Sequence, residues 1–174
     1  SLCGIAQQQN ARTVLAALHV LEKERGLSPT ATAVREGFAR VVELTGLTGR
    51  WQTLQQKPRV IADTGHNVGG WEYLARQLHA EAGRHAHLYM ITGMVNDKDI
   101  EGVLALMPRE ATYFFTQASI QRSLPAEAFA AQARTHGLQG TICPTVAEAV
   151  RRALRTAGED DLIFIGGSTF VVAD

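Results

Sequence analysis

The sequence predicts an α/β protein built on a mostly parallel sheet with helices on both faces, preceded by a separate helical segment. Three observations carry this. From about Pro58 onward, short apolar runs alternate with stretches of helical periodicity, the pattern of βαβ units. Before Pro58 the periodicity is helical only. The 174 residues, 45% hydrophobic and 20% charged, are ordinary globular composition and enough chain for one domain with a buried core and some extra.

Gln7 to Glu24 places Val14, Leu15, Leu18 and Leu21 at helical spacing, and Gly26 ends that helix. Ser28-Pro29 reads as an N-cap followed by Pro in the first helical position. The helix it opens carries Val34, Phe38, Val41 and Val42 on one stripe and stops near Gly46. Two helices cannot bury both apolar faces alone, so residues 1–48 are expected to pack on something beyond this chain. Residues 49–57 read as a polar linker. The domain from 58 to 174 begins with Val60-Ile61-Ala62, then a Gly-rich turn and a helix bearing Trp71, Leu74 and Leu78. His87 to Thr92 is the second strand, followed by a helix with Ile100, Val103, Leu104 and Leu106. Tyr113-Phe114-Phe115 is the third strand, and Pro125 opens a helix containing Phe129. Gly140 to Cys143 is the fourth, with Thr145 capping a helix to about Thr156, and Asp161 to Ile165 is the fifth. Phe170-Val171-Val172 follows too closely for a parallel crossover, so it is expected to run antiparallel as a last strand. The sum is a Rossmann-like three-layer domain with one antiparallel strand, preceded by a two-helix remnant of another domain.

Composition excludes several roles. The formal net charge is zero, which argues against a nucleic-acid partner. Fourteen Arg stand against three Lys, a bias that suits anions but is common on plain surfaces. No apolar run is long enough to span a membrane. Ser1-Leu2-Cys3-Gly4 shows neither an initiator Met nor a signal peptide, so a piece of a longer, cytoplasmic protein is expected. Cys3 and Cys143 fit no metal or redox spacing.

In open α/β sheets ligands bind at the carboxyl ends of the strands. Those ends hold Asp63-Thr64-Gly65-His66-Asn67, Gly93 through Asp97-Lys98-Asp99, Thr116 through Arg122, and Gly166-Gly167-Ser168. Asp63 can accept hydrogen bonds from ribose hydroxyls, or cap a turn. Arg122 can grip a carboxylate or phosphate with two parallel bonds. His66 can equally make a structural hydrogen bond, and Gly166-Gly167-Ser168 can be a tight turn. His85-x-His87 lacks a third ligand nearby and is not read as a metal site. No Gly-Lys dipeptide exists, so there is no phosphate loop, and no G-x-G-x-x-G follows a strand. These residues by themselves describe a small-molecule-binding α/β domain.

Their order says more. Gly4-x-x-Gln7-x-x-Asn10, Gly49-Arg50-Trp51, Asp63-x-x-His66-Asn67, Asp97-Lys98-Asp99, Arg122 and Gly167-Ser168 resemble, in sequence and spacing, the folylpolyglutamate synthases, including those that double as dihydrofolate synthases. The resemblance covers essentially the whole chain. It implies the C-terminal part of an ATP-dependent ligase of the Mur ligase superfamily. In that family the folate carboxylate and ATP form an acyl phosphate, which the amine of L-glutamate converts to an amide with release of ADP and phosphate. It further implies that Asn10, Arg50 and Asp63 meet ATP, and that His66, Arg122 and Ser168 hold the incoming glutamate. Asp97, Lys98 and Asp99 would sit on a loop facing the remaining, N-terminal ATPase domain. The Mg2+ ligands of the family lie in that other part, so neither a metal ligand nor a certain catalytic residue is expected here. Ala6 departs from the family's usual aromatic residue, and Gly65 and Val68 stand where Ala and Pro are common. A cell-wall peptide ligase of the same architecture and a non-catalytic metabolite-binding module are the alternatives.

Overall fold

A computed structural model describes residues 4–96 and 99–174. It contains a six-stranded sheet in the order β1-β2-β6-β3-β4-β5, where β1 is Gln52–Gln56, β2 Arg59–Asp63, β3 Leu88–Thr92, β4 Thr112–Phe115, β5 Gly140–Ile142 and β6 Leu162–Gly166. Strands β2 to β6 are mutually parallel along the ladder, and β1 pairs antiparallel with β2. The mixed, mostly parallel sheet expected from the sequence is therefore present, but two details differ. The antiparallel member is Gln52–Gln56, inside the stretch read as a linker, and it folds back on β2 around Lys57-Pro58. Phe170-Val171-Val172 is no strand; it lies in the short helix α8, Thr169–Ala173. Ser168 caps that helix, and Val171 turns into the core while Phe170 and Val172 pack at its edge. Three consecutive apolar residues fit either geometry, and the cap decides between them.

The central strand explains the layering. Every residue of Leu-Ile-Phe-Ile-Gly in β6 is buried, as expected for a parallel strand covered on both faces. Leu162 and Phe164 point to one face and Ile163 and Ile165 to the other. Trp71, Leu74 and Leu78 of α4 (Val68–Ala82) cover the first face, with Val103 and Leu104 of α5 (Ile100–Leu104) and Phe129, Ala130 and Ala133 of α6 (Ala126–Thr135). The Trp71 ring meets Phe164 edge-on at 6.2 Å and Phe129 meets Phe115 likewise at 5.7 Å. Fully burying side chains of this size contributes roughly 1.5–3 kcal/mol each. The second face is covered by Val146, Ala149 and Ala153 of α7 (Val146–Thr156), held at its start by the Thr145 hydroxyl, and by Val171. At the amino-terminal edge, Glu81 receives Arg59 at 3.0 Å and Arg84 at 3.3 Å, tying the start of β2 to the end of α4.

Ahead of the sheet, α1 spans Ala6–Arg25 and ends at Gly26 in the left-handed region, φ 67°. The next helix begins later than the Ser28-Pro29 reading: Thr30 is its N-cap, its hydroxyl accepting from Ala33 N at 3.1 Å. Ser28 instead donates to the Glu22 carboxylate. That helix is also interrupted, α2 (Ala31–Ala39) and α3 (Val41–Thr45) meeting at Arg40, before Gly46 stops it. None of the three helices has a fully buried residue. No helix among the described residues is long and apolar enough to cross a membrane.

Backbone contact between β3 and β4 sets a sharp test. A Cβ on Gly93 would lie 2.3 Å from the Thr116 carbonyl oxygen, whereas one on Gly83 would meet nothing closer than 3.7 Å. Gly83 has φ −62°, open to any residue. Gly93→Ala is expected to lower stability by about 1–3 kcal/mol. Gly83→Ala should be neutral or stabilising by up to about 1 kcal/mol. Equilibrium urea unfolding checks the pair, and equal midpoints would refute the close packing at Gly93.

Candidate active site at the carboxyl edge of the sheet

The carboxyl ends of β2, β6 and β3 lie side by side, because Asp63 and Thr92 both align with Gly166 in the ladder. The chain leaves β2 for α4 on one face and leaves β6 for α8 on the other. Such a divergence opens a crevice at the strand ends.

Asp63 is the fixed point of this edge. One carboxylate oxygen accepts Trp51 N at 2.7 Å and the other accepts Gly65 N at 2.8 Å. Thr64 N in turn donates to the Gly49 carbonyl at 2.9 Å. The Gly49-Arg50-Trp51 bend is thus stitched to the loop after β2, and it brings Arg50 close enough for its charge to act on Asp63. Burial raises the Asp63 pKa above the usual carboxylate value; the N–H groups of Gly65 and Trp51 and the Arg50 charge pull the other way. A carboxylate with two bonds retains lone pairs, so Asp63 can still accept from a ligand hydroxyl.

His66 is half-buried and its Nδ1 lies 3.0 Å from the Thr64 carbonyl. A carbonyl only accepts, so Nδ1 carries a proton here, and Nε2 is the acceptor of that tautomer. Asn67 caps α4, its side-chain oxygen accepting Gly70 N at 2.8 Å.

Ser168 is buried and caps α8, its hydroxyl accepting Phe170 N at 3.2 Å. The loop before it is closely packed: a Cβ on Gly167, at φ 93°, would sit 2.5 Å from Thr92 Oγ1. Glycine is required there on both counts. Arg122 lies on the exposed loop after β4, with its guanidinium carbon 4.9 Å from the centre of the Phe170 ring. A cavity of about 390 Å³ lined by Ile120, Gln121, Arg122 and Phe170 opens beside the pair.

The structure therefore brings Arg50, Asp63, His66, Ser168 and Arg122 to one edge. Asn10 stands apart: its amide donates to Gln7 within α1 at 3.0 Å. That helix meets the domain at its start, where Ile5 N donates to Gln77 at 2.8 Å. Asp99 caps α5 by accepting Gly102 N at 2.9 Å, while Asp97 and Lys98 lie outside the described residues. His85 and His87 are engaged with the Asp160 carbonyl and the Thr112 hydroxyl respectively. Three features escaped sequence reasoning: Phe170 under Arg122, and the hydroxyls of Thr92 and Thr116. Both hydroxyls are fully buried without a hydrogen-bond partner among the described residues. A Thr at the end of one apolar strand and another just after a second was the available signal. No three His, Cys, Asp or Glu among the described residues could hold a metal ion. The Mg2+ implied by the resemblance therefore does not fit a site of this chain's described residues.

An open α/β sheet with a polar, arginine-bearing carboxyl edge has the form of a ligand-binding domain, and comparison with known proteins narrows the class. Residues 49–169 match the family "Mur ligase, glutamate ligase domain". The dihydrofolate synthase/folylpolyglutamate synthase of Escherichia coli is 32% identical over 169 residues, covering 97% of this chain and 37% of that protein. A solved structure of the E. coli enzyme in complex with DHPP and ADP superposes with a TM-score of 0.80 at 32% identity, over 95% of this chain and 37% of the other. A bifunctional folylpolyglutamate synthase/dihydrofolate synthase with Mn, AMPPNP and L-glutamate bound superposes at 0.75 with 28% identity, over 92% and 36%. The chain belongs to the glutamate ligase domain family of the Mur ligases, in its folylpolyglutamate synthase/dihydrofolate synthase branch. It spans little more than a third of the length of these relatives.

Asp63 should behave as a structural clamp whatever it binds. Asp63→Ala leaves the Trp51 and Gly65 N–H groups without their acceptor and is expected to cost about 2–4 kcal/mol. Asp63→Asn keeps one acceptor oxygen and should cost less. Urea unfolding followed by tryptophan fluorescence measures both, and an unchanged midpoint for the Ala variant would refute the clamp.

Proposed function

We propose that this chain is the C-terminal, glutamate-ligating part of an ATP-dependent enzyme that joins L-glutamate to folate through an amide bond. The observation that supports this best is the meeting of Arg50, Asp63, His66, Ser168 and Arg122 at one sheet edge. The similarity to enzymes solved with nucleotide, DHPP and L-glutamate supplies the substrate classes.

In this reading Arg50 faces the nucleotide phosphates, and Asp63 accepts from the nucleoside. Asn10 joins them when the helical segment is seated on the remainder of the enzyme. Arg122 receives a glutamate carboxylate as a bidentate partner. Ser168 lines the same subsite, and His66 Nε2 accepts from the glutamate amino group. The folate carboxylate takes the terminal phosphoryl group of ATP, releasing ADP. The deprotonated amine then attacks the acyl carbon, and phosphate leaves as the C–N bond forms. Such a reaction needs positioning and charge stabilisation from the protein. The apolar surface left on α1 to α3, including Val14, Leu15, Val20 and Leu44, is the contact for the N-terminal ATPase part. The isolated chain is accordingly expected to form no folate–glutamate product from ATP.

The test is ADP release by the full-length protein with folate and glutamate omitted in turn. Release that requires both supports the ligase; release indifferent to folate redirects the reading to a peptide ligase, and no release to a binding module. Within that assay Arg122→Ala should raise the KM for glutamate far more than that for ATP. The loss of a charge-assisted contact, about 1.5–3 kcal/mol, corresponds to roughly ten- to a hundredfold. Arg50→Ala should depress turnover instead.

A further inference from the structure

We propose that Phe170 is a positioning residue that sets the Arg122 guanidinium for the carboxylate of the incoming amino acid. The inference rests on the reading that Arg122 takes that carboxylate, and adds the residue through which the fold aims it.

The two are far apart in sequence and reach the crevice from different elements. Backbone bonds hold the Arg122 loop: Asn96 N donates to the Arg122 carbonyl at 3.1 Å, and Leu124 N to the Met94 carbonyl at 2.9 Å. Val95 and Ser123 also bridge the two loops. These bonds fix where the Arg122 side chain starts. An exposed arginine has several rotatable bonds to order before its donors form a fork. The Phe170 ring lies at the far end of that side chain, 4.9 Å from the guanidinium carbon. A ring face attracts a cation through its quadrupole and brings no opposite charge of its own. It therefore steadies the guanidinium through a contact that adds no opposite charge.

The ring is itself held. Phe170 packs against the second core cluster, and its N–H is taken by the Ser168 hydroxyl at 3.2 Å. Ser168 and Arg122, from two different loops, are thereby linked through one residue. The cavity beside the stacked pair is the space a carboxylate-bearing side chain would enter.

The test is steady-state kinetics of the full-length enzyme with glutamate, ATP and folate varied separately. Phe170→Leu should raise the KM for glutamate by about two- to thirtyfold, the span of a cation–π contact. Its kcat and KM for ATP should stay within about twofold of wild type, and Phe170→Tyr should restore the glutamate KM. In an Arg122→Ala background, Phe170→Leu should add nothing. Phe170→Met keeps apolar bulk without a ring face and replaces the Leu variant if that protein loses its melting transition. Arg122→Ala with unchanged glutamate dependence would remove Arg122 from the subsite and the proposal with it. If Arg122→Ala raises the glutamate KM but the Phe170 variant does not, or their losses add in the double variant, positioning is overturned while Arg122 keeps its role.

Discussion

The carboxyl edge of this domain hangs on the two backbone N–H groups held by Asp63. Trp51 carries φ 49°, a conformation that costs a non-glycine residue of order 1–2 kcal/mol. It persists because its N–H is taken by Asp63 and its indole is buried 6.2 Å from the Phe164 ring. The same carboxylate holds Gly65, and the Gly49 carbonyl holds Thr64. The bend before β1 and the loop after β2 thus define each other, and both Arg50 and His66 inherit their positions from that lock. A site assembled this way is placed by backbone geometry, and side-chain rotamers add only the last few ångströms.

Asp63 and Glu81, two of the buried carboxylates, are handled differently. Glu81, at the amino edge, is surrounded by the charged groups of Arg59 and Arg84. Asp63, at the carboxyl edge, is held mainly by neutral N–H donors, with Arg50 acting from a distance. A cation pressed directly onto Asp63 would consume the lone pairs that a ligand hydroxyl could use. Backbone donors fix the group with a smaller demand on its charge, and burial then pushes its pKa upward. This is the arrangement expected of a carboxylate that must be rigid and still receptive.

The parallel core was legible because Val60-Ile61-Ala62, Tyr113-Phe114-Phe115 and Leu162 to Ile165 are apolar on both faces, and a strand needs that only when covered twice. The edge strand β1 was not. Gln-Thr-Leu-Gln-Gln is exposed beyond its first residue, so no burial pattern marks it, and the chain pairs there through backbone bonds alone. The helix α8 was misread because an apolar triplet is silent about period, while the deciding groups, Gly167 at φ 93° and the Ser168 cap, precede it. Arg50, Asp63, His66, Arg122 and Ser168 were legible as residues of one edge, but their contacts were not. Asp63 reads the same in sequence whether it holds a ligand or its own backbone, and the structure shows the second use. The stacking of Arg122 on Phe170 joins loops that no local pattern connects.

The helical segment is built on a different principle from the domain. Both core clusters are complete without a residue from α1 to α3. Meanwhile Val14, Leu15, Val20, Leu27 and Leu44 remain 46–58% exposed. Large apolar side chains left exposed in that number suit contact with another surface. The segment therefore gains little from the Rossmann-like core, and its tether near Ile5 and Gln77 leaves its far end for something else to hold. If Asn10 serves the same ligand as Arg50 and Asp63, the nucleotide subsite is complete only when that other surface arrives. On the proposed function, chemistry would then depend on assembly, and the domain by itself would not turn over ATP.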